Sequence, residues 1–378
     1  MLHRVIITYV PGVINSLMLK KDPVCIPYGF AKLGFRSLLV CDRALIRVPA
    51  VEIYELGLFS PRRGPIPFYI YNALNSIAIA FYHGIKLARL VAKERPWFVL
   101  IYYSPAIIPL LYILSRVLGF RLVVKMDWDG VIRGGRVKRF IRRLSLFFFL
   151  RFADLVIIES FESFLNAVKS VPHLYHKLRV VYNGWCREIL GGGLNDLREK
   201  IVLTVARIEP VKGIHDLIKA FSRITDKHRD WVLRIVGPIT NKDYFDSVKK
   251  LVDELDLAGR VVFVGAISDS ELVHQYRRAS IFVLPSYIES FAIARIEALA
   301  FGLPIITTKT GGSEIVRGVG IIVEPGDVDS LAQALDKLMS DEDLRKELSR
   351  KAWKRAQSLT WEAICGKIIE NVMKALPR

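Results

Sequence analysis

The sequence has little cysteine, little acid in its first half, and no short-period repeat or low-complexity tract. Its four cysteines, Cys25, Cys41, Cys186 and Cys365, are far apart in a chain of 378 residues. This spacing excludes a dense disulfide framework and a paired-cysteine zinc site, and indicates reduced thiols in a cytosolic compartment. Hydrophobic residues make up 52% of the chain and charged residues 24%. Disordered, collagen-like and coiled-coil chains are excluded by that composition.

Uninterrupted apolar runs are also short. The apolar stretch at 1–10 is too short for a signal peptide and is broken by Pro11 and Gly12, so it predicts a buried strand. A second stretch, 97–114, could resemble a membrane span but is shorter than the roughly 20 residues that such a helix needs. Because Pro105 and Pro109 interrupt it, we predict a strand, a proline turn and a helix.

Positive charge is concentrated in one half of the chain. Residues 1–190 contain 27 Lys and Arg against 11 Asp and Glu, a net charge of +16, whereas residues 191–378 contain 28 against 26, a net charge of +2. The basic half predicts an anionic partner, which could be nucleic acid, a lipid surface or a phosphorylated substrate.

Short Val, Ile and Leu runs alternate with longer helical patterns along the whole chain. The predicted strands are 4–9, 36–41, 98–103, 121–126, 154–158, 178–182, 201–206, 231–236, 260–264, 280–284, 304–307 and 319–323. Near-continuous apolar runs between helices are typical of parallel strands covered on both faces. Six runs in each half predict an α/β chain with two doubly wound domains.

A run of three glycines marks the predicted domain boundary. Gly191–Gly193 lie in the segment 190–196, where the charge balance also changes. Consecutive glycines do not hold a regular element, so we interpret the segment as a hinge or surface loop. The predicted domains are an N-terminal acceptor-binding domain, 1–188, a nucleotide-sugar-binding domain, 197–357, and a C-terminal helix, 358–378, that returns to the first domain.

Two cations follow the predicted strand 201–206. Arg207 lies at the end of the strand and Lys212 at the start of the next helical pattern. A cation at a helix N-terminus opposes the helix dipole unless an anion lies between them, as a diphosphate would. The alternative is a pair of ordinary surface cations in a loop.

Two acids belong to the segment after the strand 280–284. We predict a helix from Ser290 to Phe301, ended by Gly302, with Glu289 at its start and Glu297 on an apolar side. A rise of 1.5 Å per residue separates the two acids by about 12 Å, which suits the sugar and the ribose of a nucleotide-sugar. For Glu289 the alternative is a plain acid at a helix N-terminus. Glu297, if buried, needs hydrogen-bond donors.

These motifs together resemble the retaining glycosyltransferases of GT-B fold, in their family 4. The residues that carry the resemblance are Arg207, Lys212-Gly213, Glu289 and Glu297 with seven residues between them, Gly311 to Val316, Val323 to Asp327, Val181 to Gly184, and Phe263-Val264-Gly265. The resemblance is dense from about 180 to 330. It implies two Rossmann-like domains facing a cleft.

The resemblance also implies roles for residues of the second half. Arg207 and Lys212 would neutralise the donor diphosphate, Glu297 would hold the ribose, and Glu289 would contact the transferred sugar. The remaining donor contacts would be the amides of Phe291, Ala292 and Ile293 and the base-binding loop at Gly265. Many relatives have Gly where this chain has Ala292, which narrows the pocket.

In the first half the resemblance implies fewer contacts. Relatives often have a glycine-rich loop after the first strand, where only Pro11-Gly12 remains, so Gly12 is the candidate for close approach to the diphosphate. After the strand 121–126, Asp127 would bind sugar or acceptor, and Asp129 could do so instead. The alternative for Asp129 is capping of a turn before Gly130.

Segment 133–151 combines cations with an apolar stripe at helical spacing. Its cations are Arg133, Arg136, Lys138, Arg139, Arg142, Arg143 and Arg151, and its stripe is Val137, Phe140, Ile141, Leu144, Phe147 and Phe148. One interpretation is docking to anionic lipid, and the other is a core-facing stripe with a solvated basic face. The total charge of the first half favours docking.

The sequence is therefore interpreted as an enzyme that transfers a sugar, with retention, from a nucleoside-diphosphate sugar to a glycan or lipid-linked acceptor. We expect no metal or other cofactor, because the protein's cations would act at the diphosphate and because His173 and His176 have no carboxylate partner. The expected location is cytoplasmic, peripheral at the inner face of the membrane. A sugar-nucleotide epimerase or phosphorylase of the same fold stays an alternative, as does a basic nucleic-acid-binding protein, for which no binding module is visible.

Overall fold

The chain forms two compact units. The structure, a computed structural model, describes residues 4–15, 18, 21–57, 82–105, 107–195 and 197–375. One unit comprises Met1–Asn183 together with Trp361–Arg378, and the other comprises Gly184–Thr360. Each unit has a hydrophobic core of its own.

The first unit is built on a parallel sheet. Its strands are β1 (Val5–Tyr9), β2 (Val13–Ile14), β3 (Arg36–Cys41), β4 (Arg43–Ala44), β5 (Glu52–Glu55), β6 (Phe98–Tyr102), β7 (Arg121–Met126), β8 (Leu155–Ile158) and β9 (Leu178–Val180). Within the described residues the main sheet has the order β5-β3-β1-β6-β7-β8-β9, and β2 pairs with β4. The order reverses between β1 and β6, which is where an open α/β sheet forms its ligand crevice.

Helices accompany these strands. They are α1 (Asp22–Lys32), α2 (82–94), α3 (Ile108–Leu118), α4 (Arg136–Leu150), α5 (Phe161–Ser170), a 3₁₀ turn at Pro172–Lys177 and the terminal helix α13 (Trp361–Lys374). Apolar side chains of β1, β6, β7 and β8 are buried, as the near-continuous apolar runs predict.

The second unit repeats this plan. Its strands are β10 (Ile201–Val205), β11 (Val232–Val236), β12 (Val261–Gly265), β13 (Ile281–Leu284), β14 (Ile305–Thr308) and β15 (Gly320–Val323). They pair in parallel in the order β12-β11-β10-β13-β14-β15. The reversal of order falls between β10 and β13.

The helices of the second unit follow the strands in alternation. They are α6 (Arg187–Leu190), α7 (Ile214–Ser222), α8 (Lys242–Glu254), α9 (Asp269–Arg278), α10 (Ile293–Ala300), α11 (Val328–Ser340) and α12 (Glu342–Gln357), with 3₁₀ turns at Pro210–Lys212 and Ser313–Val316.

Every strand predicted from the sequence is present, with ends that differ by at most two residues. The α/β class with two Rossmann-like sheets is thus confirmed. Three strands were not predicted. The strands β2 and β4 have only two residues each, and the edge strand β5 reads Glu-Ile-Tyr-Glu and lacks an apolar run.

The apolar stretch 97–114 forms β6 and the beginning of α3, as the prolines predict. None of the helices in the described part of the chain combines the length and the hydropathy that a bilayer span requires.

The terminal helix packs on α1. A Cβ atom on Gly29 of α1 would lie 2.6 Å from Cys365 Sγ and 2.9 Å from the Trp361 carbonyl oxygen. The Cys365 thiol donates to the Ile26 carbonyl at 3.3 Å. A glycine in α1 therefore lets the two helices approach closely, which joins residues 361–374 to the first unit.

The glycine run lies within the second unit, and the chain divides after Asn183. Gly191 ends α6 with φ of 55°, and a Cβ on Gly192 would lie 2.3 Å from the Ala300 carbonyl oxygen. Gly192 thus packs closely against Ala300, and the hinge or surface loop predicted at 190–196 stays a prediction. Asp196, at the end of the predicted boundary segment, lies outside the described residues.

Candidate active site

The loops that follow β10 and β13 meet at the reversal of strand order in the second unit. Gly213 has φ of 64°, and a Cβ there would lie 2.2 Å from the Pro285 carbonyl oxygen. The Tyr287 amide donates to the Val211 carbonyl at 2.8 Å, and the Tyr287 hydroxyl donates to Asp216. Only glycine allows this approach, so the two loops, 206–213 and 285–292, pack together and form one surface, which we call the wall.

Two predicted site residues form an ion pair on this wall. Lys212 Nζ lies 2.8 Å from Glu289 Oε1, and their side chains are 13% and 10% exposed. Ser286 Oγ donates to the same carboxylate oxygen at 2.6 Å. Glu289 is thus held by a cation and a hydroxyl, so a plain acid at a helix N-terminus does not describe it.

Arg207 is more open to solvent than Lys212. Its side chain is 57% exposed, and its Nη2 lies 2.9 Å from Glu209 Oε1. Glu209 carries no motif in the sequence and was not predicted. Arg207 and Lys212 both follow β10. However, α7 begins at Ile214, so Lys212 lies in the preceding 3₁₀ turn rather than in the helix.

The helix predicted from Ser290 begins at Ile293 instead. Ala292 is its N-cap, with φ of 63° and ψ of 89°, a left-handed backbone that is strained for alanine. Glu289 therefore lies in the loop before α10, and the separation of about 12 Å along one helix axis does not apply.

The Gly311-Gly312 pair packs closely against the loop before α10. A Cβ on Gly311 would lie 2.5 Å from the Glu289 carbonyl oxygen, and one on Gly312 would lie 2.4 Å from that of Phe291. The carbonyls of Glu289 and Phe291 thus lie against the glycine pair, where a side chain at position 311 or 312 would clash with them. The amide of Ile293, the first residue of α10, lies at the positive end of the helix dipole.

Arg295 holds this arrangement and was missed by sequence analysis. It is fully buried, and its guanidinium donates to the Gly311 carbonyl at 2.6 Å, the Phe291 carbonyl at 3.2 Å and Thr307 Oγ1 at 2.9 Å. A fourth bond joins Nη2 to Thr310 Oγ1 at 2.5 Å. The signal was an arginine within an apolar helical run. Its planar fork fixes the loop before α10 against the glycine pair.

Glu297 is 7% exposed, as its apolar neighbours predict. The Tyr276 hydroxyl donates to Glu297 Oε2 at 2.8 Å, which supplies the donor that a buried carboxylate needs. Burial and then the charge of Glu297 raise the pKa of Tyr276, so the phenol stays a donor. Tyr276 was not predicted, because it lies on α9, remote in sequence.

The predicted glycines lie at carboxyl ends of strands. Gly265 ends β12 with φ of 80°, Gly12 follows β1 with φ of 110°, and a Cβ at either position would meet open space. Their positive φ values favour glycine whatever the space. The predicted donor contacts of both residues stay predictions.

Asp127 and Asp129 follow β7 in the first unit and differ in their surroundings. Asp129 accepts the Val131 amide at 3.1 Å and pairs with Arg133 at 2.5 Å. A Cβ on Gly130 would lie 2.2 Å from the Ser163 carbonyl oxygen. Asp129 thus caps a tight turn, whereas Asp127 is exposed at the edge of the sheet.

A buried ion cluster lies beside Asp127 at the same sheet edge. Lys125, 2% exposed, pairs with Asp22 at 2.7 Å and with Glu159, and the Tyr102 hydroxyl donates to Asp22 at 2.8 Å. Burial lowers the pKa of Lys125, but the two carboxylates outweigh it and hold that pKa above its usual value. This cluster was not predicted, although Lys125 interrupts an apolar strand.

Glu159 has an unusual titration in this cluster. Burial raises its pKa to about 7; Lys125 opposes the rise, and the charges of Asp22 and Asp127 add to it.

In the described residues no group of three His, Cys, Asp or Glu side chains is arranged to hold a metal ion.

Residues 188–355 match the family model "Glycosyl transferases group 1". The spinach sucrose-phosphate synthase is 31% identical over 199 residues, covering 48% of this chain and 19% of that enzyme. The D-inositol 3-phosphate glycosyltransferase of Corynebacterium glutamicum is 32% identical over 178 residues, covering 46% of this chain and 43% of that one. The chain thus aligns with less than half the length of either relative.

Two solved structures share the fold over nearly the whole chain. The Anabaena protein Alr3699/HepE, in complex with UDP, has a TM-score of 0.71 at 17% identity and covers 98% of this chain and 100% of its own. The sucrose-phosphate synthase of Thermosynechococcus elongatus has a TM-score of 0.68 at 21% identity, covering 99% and 100%. The chain therefore carries a group 1 glycosyltransferase domain at residues 188–355, within a GT-B fold.

Proposed function

We propose that this protein transfers a sugar from a nucleoside-diphosphate sugar to a glycan or lipid-linked acceptor near a membrane, with retention at the anomeric carbon. The observation that carries the proposal is the ion pair of Lys212 and Glu289 at the reversal of strand order. A cation and an acid that share one crevice wall suit a substrate with a diphosphate at one end and hydroxyls at the other.

In this proposal the chain's own cations stabilise the leaving nucleoside diphosphate. Lys212 has three N–H donors and uses one on Glu289, so it can also donate to a phosphate oxygen. Arg207 is exposed enough to reach the same group, and the first amides of α10 add a positive dipole end. Positive charge placed in advance at a developing anion lowers the barrier to its departure.

In this proposal Glu289 and Glu297 bind different parts of the donor. Glu289 orients hydroxyls of the transferred sugar, since its carboxylate lies on the wall with Lys212. Glu297 is buried and accepts a hydrogen bond from Tyr276, and it also accepts hydrogen bonds from the ribose hydroxyls. Gly265 and Gly12 let backbone approach the base and the diphosphate, and Asp127 contacts sugar or acceptor.

The relatives suggest which donors to test first. The Anabaena neighbour binds UDP and UDP-glucose, and several relatives are sucrose-phosphate synthases. We therefore propose a panel led by UDP-glucose that includes other uridine, adenosine and guanosine diphosphate sugars. Release of nucleoside diphosphate is the readout, both without acceptor and with added glycan or polyprenyl-phosphate acceptors.

The decisive variant is Lys212→Ala, with Lys219→Ala as its control. Lys219 is an exposed lysine of α7, seven residues after Lys212. Lys212→Ala should lower kcat by about 10²–10³-fold, the effect of removing one preorganised donor, and Lys219→Ala should leave kcat unchanged. Equal kcat in the two variants and the parent would refute the site.

Two further results separate the alternatives. Release of an epimerised nucleotide-sugar, or turnover that requires inorganic phosphate, would indicate an epimerase or a phosphorylase. For the transferase, we expect the product to keep the anomeric configuration of the donor, measured by proton NMR of the new glycosidic linkage. We also expect EDTA to leave turnover unchanged, because Lys212 and Arg207 supply the charge.

A further inference from the structure

Helix α4 presents its apolar stripe to solvent, not to the core. Five stripe residues are 47–72% exposed and Phe147 is 41% exposed. The buried residues of the helix are Leu146 and Leu150. At 3.6 residues per turn they lie about half a turn away from the stripe. The core-facing interpretation of the stripe is therefore wrong.

The cations of the helix are also unneutralised within the described residues. Arg136, Lys138, Arg139, Arg142 and Arg143 are exposed, and no carboxylate there lies within ion-pair distance of them. The sequence has no acid between Asp129 and Asp154. The surface thus joins exposed apolar rings to uncompensated positive charge.

Aromatic contacts extend the apolar surface beyond α4. The ring of Phe147 meets that of His173 with centroids 4.4 Å apart, in the 3₁₀ turn that follows α5. Tyr175 of that turn is 61% exposed, and its ring lies 5.9 Å from that of Phe164, which stacks with the half-exposed Phe161. An exposed apolar patch of this extent marks an interaction surface.

We propose that α4, with the adjoining 3₁₀ turn, docks the protein on the anionic lipid of a cytoplasmic membrane face. Anionic lipid supplies negative headgroups for the cations and an acyl boundary for the stripe in one partner. A second copy of the chain would set like charges against each other. The proposal rests on the proposed function in one respect: docking would bring the enzyme close to an acceptor at the membrane.

Binding is measured by co-sedimentation with phosphatidylcholine vesicles, with and without phosphatidylglycerol. The test variant carries Lys138→Glu, Arg139→Glu, Arg142→Glu and Arg143→Glu. The control variant carries the same change of charge on exposed cations of the second unit, Lys242→Glu, Lys337→Glu, Arg350→Glu and Lys354→Glu. A third variant, Phe140→Ser with Leu144→Ser, tests the stripe at two of its most exposed positions.

The parent protein should bind anionic vesicles, and the α4 charge variant should bind them at least about 1000-fold more weakly, since it loses four cations worth about 1 kcal/mol each. The control variant should retain most of the binding, and the stripe variant should lose about tenfold. Salt raised from about 0.1 M to about 1 M should weaken the parent's binding, because the Debye length falls from about 10 Å to about 3 Å.

Equal binding to neutral and anionic vesicles, or equal losses in the α4 and control variants, would overturn the proposal. The proposal would also be overturned if the parent protein did not bind vesicles and instead formed a dimer in analytical ultracentrifugation that the Phe140→Ser, Leu144→Ser variant did not form. Donor hydrolysis distinguishes this failure from that of the proposed function. The α4 variants should keep it, whereas Lys212→Ala should lose it and still bind vesicles.

Discussion

At the scale of single residues, Glu289 and Glu297 are held by different partners. Glu289 is paired with a lysine that can also reach a phosphate, whereas Glu297 is held by a neutral phenol. Removing the charge of Glu289 therefore frees Lys212, and removing the charge of Glu297 weakens only what Glu297 accepts. The two conservative variants should behave differently.

We expect Glu297→Gln to weaken binding of free nucleoside diphosphate by about 10- to 100-fold, the value of a charge-assisted hydrogen bond. Glu289→Gln should leave that affinity unchanged or slightly tighter and lower kcat. Isothermal titration with the nucleotide, together with initial rates, measures both. A larger loss of nucleotide affinity for the Glu289 variant would mean that the two roles are reversed.

Ala292 has a strained backbone that glycine would relieve. The left-handed conformation costs alanine about 1–2 kcal/mol, and glycine loses about 0.5–1 kcal/mol through the entropy of the unfolded chain. We expect Ala292→Gly to raise the free energy of unfolding by up to about 1 kcal/mol, and Ala292→Val to lower it, because β-branched residues tolerate positive φ poorly. Urea unfolding measures both, and a destabilised Ala292→Gly protein would contradict the strain.

At the scale of elements, helix α13 depends on one glycine of α1. Gly29→Ala would place a methyl group 2.9 Å from a backbone oxygen of α13, so we expect a loss of about 1–3 kcal/mol from overpacking. Gly366→Ala, on α13 itself with open space around its Cβ, is the control and should gain up to about 1 kcal/mol from helix propensity. Equal effects in thermal unfolding would refute the close approach.

The carboxyl edge of the first sheet should make stability depend on pH. The native pKa of Glu159 is about 7, above the 4.5 of an unperturbed glutamate. Between these values the native state binds more protons than the unfolded state, so stability falls as pH rises through this window. The loss is on the order of 1–3 kcal/mol.

Glu159→Gln tests this edge through a slope. The variant should show a flatter dependence of unfolding free energy on pH between about 5 and 7, whatever its absolute stability, because glutamine does not titrate there. Urea unfolding across this range provides the measurement. An unchanged slope would show that another group is responsible.

At the scale of the whole molecule, two units with separate cores predict two unfolding transitions. Gly29 and α13 belong to the first unit, and the residues proposed to bind nucleotide are mostly in the second. We expect Gly29→Ala to lower the midpoint temperature of the first unit's calorimetric transition. Nucleoside diphosphate at 100 times Kd should stabilise the second unit by about 2.7 kcal/mol and so raise the midpoint temperature of its transition. A single transition that moves in both experiments would contradict this separation.

The sequence by itself determined twelve of the strands and the α/β class, because burial on both faces leaves continuous apolar runs. It also singled out the cations and acids that point to a nucleotide-sugar, the apolar setting of Glu297, and the cations and apolar stripe of segment 133–151. These features depend on neighbours within one turn or one strand. Periodicity and spacing therefore report them.

Only the tertiary structure decided which side chains meet. Lys212 meets Glu289, Arg295 fixes the loop at Ala292 against the glycine pair, and Tyr276 reaches Glu297, each across many residues of chain. Helix α10 also begins three residues later than predicted, at Ile293 instead of Ser290, because the loop before it packs against Gly311 and Gly312. Whether the stripe of α4 faced core or solvent likewise depended on what the rest of the fold packs against it, which helical spacing does not encode.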